Sequence, residues 1–156
     1  MALQIGQKAP EFSLYNTEKN KVSLSDFAGK KVLLLFFPQA FTGVCTTELC
    51  SVRDSITTYQ SVDAQVLAIS VDSLFTLNKF SQEQSFNFPL LSDFNKEASR
   101  AYEAIYDSWI FDMKGVAKRS AFVIDGQGVI QYAEVLENPG DLPNFEAIKE
   151  TLAKIA

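Results

Sequence analysis

The chain predicts an α/β fold with a central mixed β-sheet flanked by helices, and three observations carry that prediction. Residues 32–37 (Val-Leu-Leu-Leu-Phe-Phe) and 66–71 (Val-Leu-Ala-Ile-Ser-Val) are continuous apolar runs, the pattern of strands buried on both faces of a parallel sheet. Between them Leu49, Val52, Ile56 and Tyr59 recur at i, i+3, i+7 and i+10, one face of a helix. Late in the chain, residues 121–125 and 129–135 flank Gly126-Gln127-Gly128, a strong hairpin signal. A strand–helix–strand unit is expected to cross over right-handed. With a hairpin added, the sheet holds both parallel and antiparallel neighbours.

The remaining elements follow in order. Phe12 and Leu14 alternate with polar residues, as do Val22 and Leu24, around the polar turn 16–21, which predicts an N-terminal β-hairpin. Residues 25–30 form a turn or a single helical turn. Pro38 ends the first core strand, Thr42-Gly43 opens a helix, and its apolar face extends that helix to about Tyr59. Asp72-Ser73 can cap a helix over residues 74–85, which Asn87-Phe88-Pro89 breaks. Leu90-Leu91 is a short strand, residues 93–95 a turn, and residues 96–105 a helix with Ala98, Ala101, Tyr102 and Ile105 on one face. Trp109, Ile110 and Phe111 lie in a loop. Past Pro143, Phe145, Ile148, Leu152 and Ile155 repeat the helical face of the first helix. No linker, repeat or low-complexity segment interrupts the chain, so residues 1–156 are expected to form one domain.

Composition removes several classes of function. The net charge of −5 gives no basic face for phosphate contacts, so nucleic acid is not an expected partner. The apolar runs fall far short of the roughly 20 residues of a membrane span, and residues 1–8 do not lead a basic segment into an apolar one; a cytoplasmic location is the expectation. There is no histidine and there are two cysteines. A Ser-His-Asp or Cys-His nucleophile is therefore impossible, and a structural zinc site with its usual four ligands has only two sulfurs to draw on.

One of those sulfurs is placed for chemistry. Cys45 falls in the first turn of a helix that springs from a core strand, where free N–H groups and the helix dipole favour an anion. A thiol so placed can have its pKa lowered from about 8.5 to between roughly 3.5 and 7.5. With no imidazole in the chain, activation must come from the helix terminus, from hydroxyl or N–H donors, and from Arg or Lys. Bland alternatives exist for each residue: an inert core cysteine, an N-cap for Thr42, a strand end for Pro38. Arg53 and Arg100 suit solvated helix faces, and Arg119 can also be a surface strand end.

Pro38, Thr42 and Cys45 form Pro-x-x-x-Thr-x-x-Cys at the strand-to-helix junction, and Arg119 opens Arg-Ser-Ala-Phe-Val-Ile-Asp. This combination resembles the peroxiredoxins, and the likeness runs from Gly6-Gln7-Lys8-Ala9-Pro10-Glu11-Phe12 to the last helix. Residues 37–45 most resemble the alkyl hydroperoxide reductase E branch; the second cysteine five residues on resembles the Q-type (bacterioferritin-comigratory) branch. The resemblance implies a thioredoxin-like fold and a thiol-dependent peroxidase that uses no metal, haem or flavin. It implies Cys45 as the attacking thiolate, Thr42 with its hydroxyl toward sulfur and peroxide, Pro38 shielding the pocket, Arg119 stabilising the thiolate and donating to peroxide, and Glu48 orienting Arg119. The substrate would be hydrogen peroxide or an alkyl hydroperoxide, and the recycling partner thioredoxin or another dithiol protein.

Cys50 admits two roles. It either resolves the sulfenic acid as an intramolecular disulfide or is a small packed residue beside a single working cysteine. On an ideal helix residues i and i+5 have Cα atoms about 8.7 Å apart, whereas a disulfide needs less than about 7 Å. Resolution by Cys50 therefore requires the first helical turns to unwind, and Thr46 and Thr47, poor helix formers, lower that cost. Two rival functions remain: a thiol–disulfide oxidoreductase, which Cys-x4-Cys fits poorly, and a non-catalytic peroxide sensor on the same fold. Exposed Phe or Trp near residues 38–44 and 94–111 would let the chain be a homodimer rather than a monomer.

Overall fold

The computed structural model describes residues 3–155; Met1, Ala2 and Ala156 lie outside that range. Strand β3 (Lys31–Phe36) lies inside the sheet, paired in parallel with β4 (Ala64–Ser70) and antiparallel with β8 (Ser120–Ile124). Around these, β1 (Ser13–Asn16), β2 (Lys21–Ser23), β5 (Leu90–Ser92) and β9 (Ile130–Val135) complete a seven-stranded sheet of order β2-β1-β5-β4-β3-β8-β9. The N-terminal hairpin joins this sheet through β1 and β5, and β8 and β9 form the hairpin marked by Gly126 and Gly128.

Alternation along β3 divides the interior into two layers. Leu33, Leu35 and Phe37 face one side with Val66, Ala68, Ala121 and Val123; Val32, Leu34 and Phe36 face the other with Leu67, Ile69, Phe122 and Ile124. Both faces of the strand are thus apolar because both are covered. The first layer is closed by α1 (Gly43–Asp54), α2 (Ile56–Ser61), α3 (Leu74–Gln84) and α5 (Phe145–Lys154), through Leu49, Val52, Tyr59, Leu77, Phe80, Ile148 and Leu152. The second is closed by Phe12, Leu14 and α4 (Glu97–Ala101), with Tyr102 packed against Phe12, Phe36 and Phe122. The Tyr102 hydroxyl donates to the Pro10 carbonyl at 2.7 Å, so this large ring is buried without stranding its polar end.

Three expectations need correction. The helix predicted to reach Tyr59 is two helices that break at Ser55, whose ψ of 14° departs from helical geometry. The apolar period carries across the break because α1 and α2 bury the same layer, so periodicity alone could not reveal it. Second, the helix expected over residues 96–105 spans only Glu97–Ala101. Asp93 caps its first turn by accepting from Ala98 and Ser99 N–H, and Ile105–Tyr106 leaves to form β6, paired with β7 (Val116–Ala117) in a small second sheet. Two-residue strands carry no readable alternation. Third, Arg53, expected on a solvated helix face, is partly exposed but tied down: its Nη1 donates to the Gln84 carbonyl at 2.5 Å and its Nε to Asp54 Oδ1 at 3.0 Å. Among the described residues, no helix is long and apolar enough to cross a membrane.

Candidate active site

The site forms where β3 ends. Phe37 N–H still pairs with the Ile69 carbonyl, and Pro38, which has no N–H, stops the ladder there. Phe41 then turns the chain with φ of 65°, and Thr42 stands at the N-cap position of α1. Cys45 lies in the first turn of that helix, buried in the layer that holds Leu49 and Val52. Antiparallel pairing of Phe36 with Ser120 brings the start of β8 beside the end of β3, which is why Arg119, 74 residues away in sequence, reaches the sulfur.

Arg119 is 1% exposed, and it ties the site together. Its Nη2 donates to Cys45 Sγ at 3.3 Å and its Nη1 to Glu48 Oε1 at 2.7 Å. Glu48 is one helical turn from Cys45 and fully buried. Desolvation costs the Arg119 charge, but Glu48 and Cys45 together outweigh that and hold its pKa above the ordinary value. For Glu48, burial dominates over the pull of Arg119 and pushes the carboxyl from 4.5 up to about 7. Only Oε1 receives a donor among the described residues, so the carboxylate is half-satisfied.

Each residue expected in the site has a definite place. Cys45, Glu48 and Arg119 form one buried cluster, and Pro38 is buried in the loop that runs from β3 toward α1. The Thr42 hydroxyl donates to the Gln39 carbonyl at 2.9 Å and makes no capping bond, while the Thr42 carbonyl accepts from the Thr46 hydroxyl. Thr42 therefore holds the loop closed on itself, with its hydroxyl turned to backbone rather than to sulfur. Cys50 lies in the same unbroken helix as Cys45, and both are free thiols. Among the described residues no group of three or more His, Cys, Asp or Glu could hold a metal ion.

Two supports were not anticipated. Asp72, read from the sequence only as a helix cap, turns its Oδ2 to the Ala40 N–H at 2.8 Å and to the Ser70 hydroxyl at 2.7 Å, and so pins the loop to the end of β4. A carboxylate at the carboxyl end of a parallel strand was a usable signal, since that edge borders the crevice of an open α/β sheet. The second is the Pro139 carbonyl, which takes the other bond of Arg119 Nη2 at 3.2 Å. The turn that presents it is fastened to the same neighbourhood: Leu136 N–H donates to the Arg119 carbonyl, Lys118 pairs with Glu137, and the Tyr106 hydroxyl donates to the Glu137 carbonyl. No residue pattern announces a backbone acceptor.

Comparison with known proteins places the chain in a family. The AhpC/TSA family matches residues 5–133. Alkyl hydroperoxide reductase E of Mycobacterium bovis is 36% identical over 156 residues, covering 98% of each chain. Putative peroxiredoxin ycf42 of Porphyra purpurea is 36% identical across 96% of this chain and 75% of its own length. The crystal structure of peroxidoxin BcpB from Mycobacterium tuberculosis has a TM-score of 0.87 at 26% identity, covering 99% of both chains. With its thioredoxin-like α/β architecture and these matches along nearly its whole length, the chain belongs to the AhpC/TSA family, the peroxiredoxins.

Proposed function

We propose that this peroxiredoxin, a thiol-dependent peroxidase, reduces hydrogen peroxide and alkyl hydroperoxides with the Cys45 sulfur as its attacking group. The single observation that carries the assignment is the 3.3 Å bond from Arg119 Nη2 to Cys45 Sγ inside a buried site. The ionised sulfur attacks the terminal oxygen of the peroxide along the O–O axis. The S–O bond forms as the O–O bond breaks, and the departing oxygen leaves with a proton as water or alcohol. Sulfur is oxidised by two electrons to the sulfenic acid. Charge that begins on sulfur shifts to the leaving oxygen, so a guanidinium at this position serves both ends of the transition state.

The other roles follow from placement. Glu48 orients the guanidinium through Nη1, and Pro38 walls the sulfur from bulk water. Thr42 closes the loop onto Gln39 and, by rotation about χ1, offers its hydroxyl to the incoming peroxide. Cys50 resolves the sulfenic acid as a disulfide once α1 opens, and a dithiol protein such as thioredoxin reduces that disulfide by exchange. Phe41, Phe94 and Phe111 are exposed and provide a surface for a second copy.

Stopped-flow measurement of reduced protein with hydrogen peroxide and with a bulky organic hydroperoxide tests the assignment. Fast second-order oxidation is expected, abolished in Cys45→Ser and retained in Cys50→Ser. A slow rate that is unchanged by Arg119→Ala would instead identify a peroxide sensor without catalysis. Insulin-disulfide reduction in the absence of peroxide would identify a thiol–disulfide oxidoreductase.

A further inference from the structure

Helix α1 is fastened to the end of α3 at several points, none of which belongs to the peroxide site. Cys50 Sγ donates to Gln84 Oε1 at 3.4 Å. One turn later Arg53 Nη1 donates to the Gln84 carbonyl at 2.5 Å, and Asn87 Nδ2 donates to the Arg53 carbonyl at 3.3 Å. Gln84 is the last residue of α3, and Ser85 then reverses the chain with φ of 53°. The same segment grips the other end of α1: Phe41, in the loop leading into the helix, packs on Phe80 at 5.0 Å between ring centroids, and Phe80 packs on Phe86 at 5.1 Å.

These ties bear on the step the helix geometry makes difficult. Within intact α1 the two sulfurs cannot meet, because their Cα atoms stand about 8.7 Å apart. Bringing them together means opening α1 and withdrawing Cys50 from the amide oxygen of Gln84. We propose that Gln84 is a positioning residue for the second thiol: it holds Cys50 back and, with Arg53, sets the rate at which α1 opens after Cys45 is oxidised. This rests on the reading of Cys50 as the resolving cysteine. In that step the S–S bond forms as the Cys45 S–O bond breaks, and the hydroxyl leaves with the Cys50 proton as water. The competing fate is a second two-electron oxidation of the Cys45 sulfenic acid to sulfinic acid by another peroxide, which is itself reduced to water or alcohol. A slower release from Gln84 therefore leaves more sulfenic acid open to the second peroxide.

The test follows both steps by acid quench, thiol blocking and intact mass in wild type, Gln84→Ala and Gln84→Glu, first at one equivalent of hydrogen peroxide and then in excess. Gln84→Ala removes the acceptor and leaves the backbone carbonyl that Arg53 uses. Its disulfide should form about three- to fivefold faster, the scale of one ordinary hydrogen bond, with a matching fall in sulfinic acid and an unchanged rate of Cys45 oxidation. Gln84→Glu keeps an acceptor of the same length and should stay within about twofold of wild type. Arg53→Met cuts the second tie but also removes a cation that interacts with Cys50, so it is read by amide hydrogen exchange of α1, which should quicken; unchanged exchange overturns the role given to Arg53. If wild type forms the disulfide and Gln84→Ala is equal or slower, the holding role is wrong while Cys50 remains the resolving cysteine. If wild type keeps a sulfenic acid indistinguishable from that of Cys50→Ser, the resolving role itself fails and the holding role with it.

Discussion

Replacing Arg119 by Met removes the charge beside the sulfur and keeps much of the side-chain volume. With nitrogen and sulfur 3.3 Å apart, Coulomb attraction between unit charges is about 1.3 kcal/mol at the permittivity of water and about 5 kcal/mol at an effective value near 20. The site is buried, yet peroxide must reach it, so the loss lies between these bounds. At 1.36 kcal/mol per tenfold in rate, a fall of about 10² to 10³ in the second-order rate with hydrogen peroxide is expected. That range matches the removal of one preorganised donor from other charged transition states. Stability complicates the comparison because Glu48 loses its partner. Losing one member of a buried pair costs about 3 kcal/mol or more, although here Glu48 can take up a proton and limit the damage. The informative protein is therefore Arg119→Met combined with Glu48→Gln, which leaves no carboxylate stranded beside the missing guanidinium. Stopped-flow rates and urea melts of the single and double variants separate the two effects. Recovery of stability in the double variant with the rate still down by 10² or more is the expected result. A rate within about tenfold of wild type in either protein would refute the role given to the guanidinium.

Three further outcomes follow from the same site. Glu48 is held near 7 in the folded protein and titrates near 4.5 when exposed, so the folded state binds the extra proton between those values. Its contribution to stability, up to about 3 kcal/mol, is present below pH 4.5 and lost as pH rises toward 7; urea melts across this window should show the decline, and Glu48→Gln should flatten it. Asp72→Ala frees the Ala40 N–H and the Ser70 hydroxyl, loosening the loop ahead of Cys45. A peroxide rate lower by about tenfold with a stability loss of only about 1 kcal/mol is expected, read by stopped flow and thermal melts. Asn138 accepts from Gly140 N–H and so shapes the turn that presents Pro139 to Arg119; Asn138→Ala should slow peroxide reduction about fivefold, and Asn138→Asp, which keeps the acceptor, should restore it.

The sheet was largely legible in the amino-acid order. Continuous apolar runs at 32–37 and 66–71 became the paired central strands β3 and β4, because a strand covered on both sides must be apolar on both sides. The Gly126-Gln127-Gly128 turn became the β8–β9 hairpin. Short elements were not legible, since β6 and β7 are too brief to carry a period, and the break at Ser55 hides inside an uninterrupted apolar face. Helix α4 was overextended because Tyr102 and Ile105 continue a helical spacing after the backbone has stopped being helical.

What the sequence by itself determined was the local chemistry: which sulfur stands at a helix start, that no imidazole can assist it, and that two cysteines five residues apart on one helix cannot touch while it is intact. Those are properties of neighbouring residues and of helix geometry. Only the tertiary structure decided what surrounds that sulfur. Strand pairing delivers Arg119 to it, burial sets Glu48 near neutrality, the Pro139 carbonyl takes the second bond of Nη2, and Gln84 occupies the other thiol. Each of these depends on segments far apart in the chain, and several depend on backbone atoms, which every residue type carries alike.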